Sequence, residues 1–252
     1  MKKQFLPLVS ILLILALLAG CGNESPPEAA ETEPIDIVTE VPEEDPVYEG
    51  DASTYYINEV YAEQIARYYT HLAEQWEEGK YFENGLSALP YYYYEGNPLE
   101  NVGFGFVDLD NDGHWELVIG AIWNADQDPA VFEIWTLVDG EPVILAQGGS
   151  RNRYRLQYVE EDGMWYVVNE GSSSAFQHAT YYLMLQDGKF EVIQGIVFDA
   201  AADPENPWFL TYDTDWDVAN DTPIDEETAN DILDANRKHD TALEYFPYTF
   251  YK

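Results

Sequence analysis

The sequence predicts an α+β domain: an antiparallel β-meander of four hairpins with one helix before it and one after. Three observations carry that expectation. Asp-Gly pairs recur at Asp112-Gly113, Asp139-Gly140, Asp162-Gly163 and Asp187-Gly188, spaced by 27, 23 and 25 residues. The runs between them are rich in strand formers and alternate with a period of two, and an Asp-Gly pair between such runs signals a hairpin because both residues tolerate positive φ. At either end of this region the apolar residues recur instead at helical spacing.

Taken in order, the chain opens Met1-Lys2-Lys3, continues with an apolar stretch over residues 5–18 and reaches Leu17-Leu18-Ala19-Gly20-Cys21. A basic start, a short apolar run and small residues before a cleavage point form the secretory pattern, and the run is short for a lasting membrane span. Residues 1–20 therefore read as a signal peptide. Cys21 is the only cysteine, and its place behind Leu-Leu-Ala-Gly resembles the lipobox of bacterial lipoproteins. That resemblance implies a diacylated Cys21 as the mature N-terminus, anchored to the outer side of a membrane by two acyl chains. An ordinary signal peptide followed by a free thiol is the alternative.

Residues 21–53 read as an acidic linker. Between Gly22 and Asp51 there are eleven acids, five prolines and no Lys or Arg, so too little apolar surface is available to offset the entropy of ordering. Charge repulsion and proline keep such a stretch extended, at ~3.1 Å per residue. Loss of residues 1–20 removes Lys2 and Lys3 and no acid, moving the net charge from -37 to -39. That sign excludes nucleic acid as a partner and makes acylation, not charge, the means of membrane attachment.

Residues 54–252 are expected to form a single domain. A first helix is predicted over residues 54–78, with Ile57, Val60, Tyr61, Ile65, Tyr68, Leu72 and Trp76 on its apolar face and Gly79 ending it. Three strand pairs follow: 132–138 with 143–146, 154–159 with 165–168, and 181–185 with 190–193. The meander is expected to close as a curved sheet, a sandwich or a barrel-like sheet. A last helix is predicted over residues 223–239, with Thr222 as cap, Pro223 in the first turn, acids at 225–227 and bases at 237–239, as the helix dipole prefers.

The first Asp-Gly pair lies in a metal-binding pattern. Asp108, Asp110, Asp112 and Glu116 fall at positions 1, 3, 5 and 9 of one loop, with Gly113 at position 6. Calcium takes six to eight oxygens, and alternate acids on a tightly turned backbone supply them. An EF-hand needs Glu at position 12 and flanking helices, whereas position 12 is Ile119 and the flanks read as strands. The run over residues 105–120, GFVDLDNDGHWELVIG, resembles the FG-GAP and VCBS type of calcium hairpin. By that resemblance Asp108, Asp110, Asp112 and Glu116 are side-chain ligands and His114 contributes its carbonyl. Glu at position 9, where these families usually carry Asp, leaves direct and water-mediated coordination both open. With the lipobox and the linker, the chain also resembles uncharacterised surface lipoproteins of Gram-positive, clostridia-like bacteria, a likeness that implies location and fold and carries no catalytic residue.

Other groupings have two readings each. Asp213, Asp215, Asp217 and Asp221 repeat the 1, 3, 5, 9 spacing but place Val218 where the turn needs glycine, which favours a solvated acidic loop over a second metal site. Arg151, Arg153 and Arg155 share one face of a strand, either pairing with neighbouring acids or lining a cleft for a carboxylate or phosphate. Tyr91, Tyr92, Tyr93 and Tyr94, with Tyr55, Tyr56, Tyr68 and Tyr69, pack a core or stack on sugars. Ser172, Ser173 and Ser174 precede His178, but no Gly-x-Ser-x-Gly elbow is present, and no zinc motif occurs. The expected protein is a calcium-binding, non-catalytic binding or scaffolding module at the cell envelope, with an envelope glycan or protein as ligand. The alternative is a secreted hydrolase acting on glycans or peptidoglycan through paired carboxylates.

Overall fold

The computed structural model describes residues 52–122 and 129–251. The signal peptide, Cys21 and all but the last two residues of the linker lie outside them. Those two residues, 52 and 53, belong to the first helical turn and not to the linker.

The helical spacing over residues 54–78 yields a broken helix and not a continuous one. It comprises α1 (Ala52–Tyr55), a π-helical turn (Tyr56–Val60) and α2 (Ala62–Ala73), after which Gln75 turns the chain with φ 49°. The break has a cause in tertiary packing. Five residues apart on a regular α-helix, Tyr56 and Tyr61 would diverge by about 140°. The wider turn, closed by the Tyr61 N–H on the Tyr56 carbonyl at 2.8 Å, brings both rings onto the sheet, 6.1 Å apart and stacked. Gly79 ends nothing; it lies inside α3 (Glu78–Glu83). A 3-10 turn (Leu89–Tyr93) and the short α4 (Pro98–Asn101), capped by the Asn97 side chain, lead into the sheet.

The four expected hairpins account for β1 (Val102–Val107), β2 (Glu116–Ala121), β3 (Val131–Val138), β4 (Glu141–Gln147), β5 (Asn152–Val159), β6 (Met164–Ser174), β7 (Gln177–Gln186) and β8 (Lys189–Asp199). Three further strands, β9 (Trp208–Thr211), β10 (Thr222–Ile224) and β11 (Phe246–Pro247), make an 11-stranded antiparallel sheet in the order β10-β9-β8-β7-β6-β5-β3-β2-β1-β11, with β4 branching from β3. The class is α+β as expected. The sheet is open, not closed into a barrel, and the two ends of the strand order, β10 and β11, are short and carry a proline, Pro223 or Pro247, as suits an edge.

Turn chemistry accounts for the register. Asp139-Gly140 and Asp187-Gly188 both take positive φ (53° and 78°, 50° and 71°), the two-residue hairpin turn that matches strand twist. At residues 160–163 only Gly163 is left-handed, at φ 69°, and the Asp162 carboxylate accepts from Met164 N–H at 3.0 Å. The last helix, α5 (Glu226–Arg237), is shorter than expected. Its cap is Asp225, which accepts from Thr228 N–H at 2.7 Å. Thr222 and Pro223 belong to β10, where a residue without an N–H suits a sheet edge.

Alternate residues of β1–β3 feed two cores. Phe104, Leu117, Ile119 and Phe132 meet Tyr61, Ile65, Tyr68 and Leu72 of the helical layer. Val107, Val118 and Ile134 join Leu156, Val167, Leu183, Val197 and Phe209 from β5–β9. Residues 243–246 cross β1 closely: a Cβ on Gly105 would lie 2.8 Å from Leu243 Cδ2 and 2.9 Å from the Glu244 carbonyl oxygen. Gly105→Ala is therefore expected to cost about 1–3 kcal/mol of overpacking strain, read from the denaturant midpoint.

Candidate metal centre

The loop between β1 and β2 gathers acids from both strand ends. Glu116, the first residue of β2, stands opposite Val107, the last of β1, and Asp108 follows directly. Asp108, Asp110 and Glu116 each bring a carboxylate oxygen within 4.8 Å of the others. Calcium–oxygen distances of 2.3–2.6 Å place two ligand oxygens no more than about 5 Å apart, so one ion can span the three.

The backbone winds around Asp108. The N–H groups of Asp112 and Gly113 donate to its two carboxylate oxygens, each at 3.1 Å. The left-handed residues are Asn111 (φ 59°) and Gly113 (φ 91°), not Asp112. Nothing lies within 4 Å of where a Gly113 side chain would begin, so glycine is required there by conformation and not by space. Asp112 turns its carboxylate to the His114 N–H at 2.7 Å and stands apart from the group of three. His114 is exposed, and its ring is likewise outside the group.

Glu116 is the anchor. It is 2 % exposed, with Oε2 accepting from Leu109 N–H at 2.8 Å and Oε1 from the Thr136 hydroxyl at 2.9 Å. Burial pushes its carboxyl up to about 7, the Leu109 and Thr136 bonds oppose the shift, and the charges of Asp110 and Asp112 add to it. Burial, then the Asp112 charge, also raises Asp110. Three carboxylates this close together, one of them buried, call for a cation or for protons.

A carboxyl raised in the folded state binds more protons there than in the unfolded chain between its two pKa values, so its contribution to stability falls as pH rises through that window. Without metal, Glu116→Gln is expected to gain stability relative to the native chain between pH about 4.5 and about 7, by roughly 3 kcal/mol at most. Denaturant midpoints of both proteins across that range, in chelator, check this; a pH-independent difference would contradict the assigned environment.

Helix packing braces the loop from outside. Trp115 N–H donates to the Tyr56 hydroxyl at 3.0 Å, the Tyr61 hydroxyl donates to the Trp115 carbonyl at 3.0 Å, and the Trp115 and Tyr56 rings stack 5.4 Å apart. The π-helical turn that breaks the first helix thus positions both tyrosines on the metal loop. Thr136, Tyr56 and Tyr61 were not readable as site residues, because each lies 20 or more residues from Glu116 or Trp115.

The remaining groupings resolve differently. Asp213, Asp215 and Asp217 each accept from the N–H two residues on, and with Asp221 they do not converge; among the described residues the one convergent set of three acids is Asp108, Asp110 and Glu116. Arg155 pairs with Glu170 at 2.9 Å and Asp240 at 3.1 Å, whereas no ion pair holds Arg151 or Arg153 among the described residues. Ser172 lies opposite His178 across β6 and β7, but no hydrogen bond joins the hydroxyl to the ring. Tyr56 and Tyr68 are core, Tyr93 packs on Phe132 at 5.0 Å, and Tyr91 and Tyr92 are exposed. No protein-family model, no curated protein and no solved structure matches the chain.

Proposed function

We propose that the protein is a calcium-binding, non-catalytic binding or scaffolding module held at the bacterial cell envelope by a lipidated Cys21. The observation that carries the calcium reading is the convergence of Asp108, Asp110 and the buried Glu116 within 4.8 Å on a rigid hairpin end. Hard carboxylate oxygens suit a hard cation. With one cysteine in the chain, an internal disulfide is impossible, and a bound ion is the device that joins the first hairpin. By the resemblance to FG-GAP and VCBS hairpins, the His114 carbonyl and the Asp112 side chain, once turned from the His114 N–H, would complete the ligand set.

Envelope placement rests on the lipobox and on the charged linker that would lift the domain off the bilayer. Two observations support a non-catalytic role. Glu170, which lines the same cavity as Ser172 and His178, is paired with Arg155. Glu133, the other fully buried glutamate, is held by donors from Ser87, Trp135 and Gln147. Calorimetric titration of the metal-stripped full chain in detergent is expected to show one calcium site. Absence of any calcium heat or melting response, in protein shown to be metal-free, would sink the reading.

A further inference from the structure

Strand register gathers a second site far from the metal loop. Arg153, Glu170, Thr180 and Ile196 lie opposite one another across β5–β8, and Ser172, His178, Phe198 and Trp208 form the next row, two residues along and so on the same face. Helix α5 covers this face and brings Leu233 and Arg237 to it. The chain after α5 clamps it down: Tyr158 N–H donates to the His239 carbonyl at 3.2 Å, Thr241 N–H donates to the Leu156 carbonyl at 2.9 Å, and Asp240 pairs with Arg155. Between helix and sheet remains a cavity of about 440 Å³, within the roughly 300–1,000 Å³ of small-ligand clefts.

Its charge runs against that of the whole molecule. The chain carries a net charge of -37, yet Arg151, Arg153 and Arg237 all line this one cavity. Its single acid, Glu170, is neutralised by Arg155 at 2.9 Å. Arg237 has only a 3.9 Å contact with the exposed Asp234. Among the described residues Arg151 and Arg153 have no ion-pair partner, and guanidinium forks gathered in so acidic a chain fit an oxyanion, which each can bind through two N–H groups.

The rest of the lining narrows the ligand. Ser150, Ser172 and Thr180 line the cavity together with Trp208, whose ring lies edge-on to Phe198 at 5.0 Å. Hydroxyls bond polar edges, and an aromatic face takes the apolar C–H face of a sugar ring. Past Arg153 a further hollow of about 380 Å³ runs to Tyr92 and Tyr93, so the surface is longer than one sugar needs. We propose that this groove binds an anionic saccharide, a sugar chain bearing carboxylate or phosphate groups. The proposal names the ligand class of the binding module and rests on that reading.

The test is calorimetry on the calcium-loaded full chain in detergent, with four probes: a glucuronic-acid-containing tetrasaccharide, the same sugar with its carboxyls reduced, glucose 6-phosphate and inorganic phosphate. An acidic sugar is expected to bind, its carboxylate or phosphate form identifying the anion, and to release in about 1 M salt, where the screening length falls to about 3 Å. Arg153→Gln and Arg237→Gln are each expected to weaken it about five- to tenfold, and Arg153→Lys by less. Trp208→Ala should weaken the sugars while leaving inorganic phosphate unaffected. The proposal is overturned if neither acidic sugar binds, if the reduced sugar binds as well as the acidic one, or if the arginine variants keep full affinity. Calcium-dependent melting of the same samples separates the two readings: an intact calcium response without sugar binding removes only the groove, and sugar binding without a calcium response removes only the metal.

Discussion

The Asp108→Asn, Asp110→Asn double variant is expected to lose its calcium response and to be at least as stable as the native chain without metal. Both halves follow from the same geometry. With calcium at about 100 times Kd, an intact site adds about 2.7 kcal/mol by mass action, which for a domain of this size is roughly 5–10 °C in Tm. Neutral amides in place of two of the three converging carboxylates remove most of that affinity. They also remove the mutual repulsion that, with burial, raises Asp110. Of the two Asp108 contacts, from Asp112 N–H to one oxygen and from Gly113 N–H to the other, the amide keeps one, and the N–H that loses its partner lies in an exposed loop where water replaces it. Paired melts of both proteins in calcium and in chelator check the crossing of the two stability orders. A double variant that keeps the native calcium shift would place the ion elsewhere.

The second large effect lies in the opposite core. Glu133→Ala is expected to cost about 3–5 kcal/mol, because it strands buried donors as well as removing a side chain. Glu133 is 0 % exposed, and its carboxylate accepts from Ser87 N–H at 2.7 Å, Trp135 Nε1 at 3.0 Å and Gln147 Nε2 at 3.4 Å. Burial raises its carboxyl, against the pull of these bonds. It ties the segment leading from α3 to the sheet, since Ser87 also donates to the Gly148 carbonyl at 2.8 Å. Glu133→Gln, which keeps one acceptor oxygen, should cost clearly less. Denaturant unfolding of both variants separates a stranded-donor penalty from simple loss of charge: equal costs would argue for the charge alone.

What the sequence disclosed was what local chemistry decides. Asp139-Gly140 and Asp187-Gly188 adopt the paired positive φ that two-residue hairpins require, and that constraint acts within four residues. The convergence of Asp108, Asp110 and Glu116 was legible for the same reason, the three acids falling within nine residues of one turn. Readings failed where distant partners decide. The first helix breaks at Tyr56 because two tyrosines five residues apart must both reach Trp115, some sixty residues on, which no periodicity shows. The Ser-rich end of β6 becomes strand because β7 pairs with it, Ser172 opposite His178 and Ser174 opposite Gln177. Glu116 looked like a ninth-position variant of a loop motif, yet its burial and its bond from Thr136 depend on how β3 pairs with β2. The arginine row divided: Arg155 found Asp240 after α5, whereas Arg153 met Arg237 of that helix across a cavity.

In the proposed reading an ion joins the first hairpin of a domain that contains no cysteine to cross-link it. It is tested most directly by thermal melting of the full chain, stripped of metal, with calcium at about 100 times Kd and with chelator. A structural calcium ion at Asp108, Asp110 and Glu116 predicts a rise of roughly 5–10 °C with calcium that disappears in the double asparagine variant. Equal melting temperatures in calcium and chelator, in protein shown by elemental analysis to start metal-free, would contradict it.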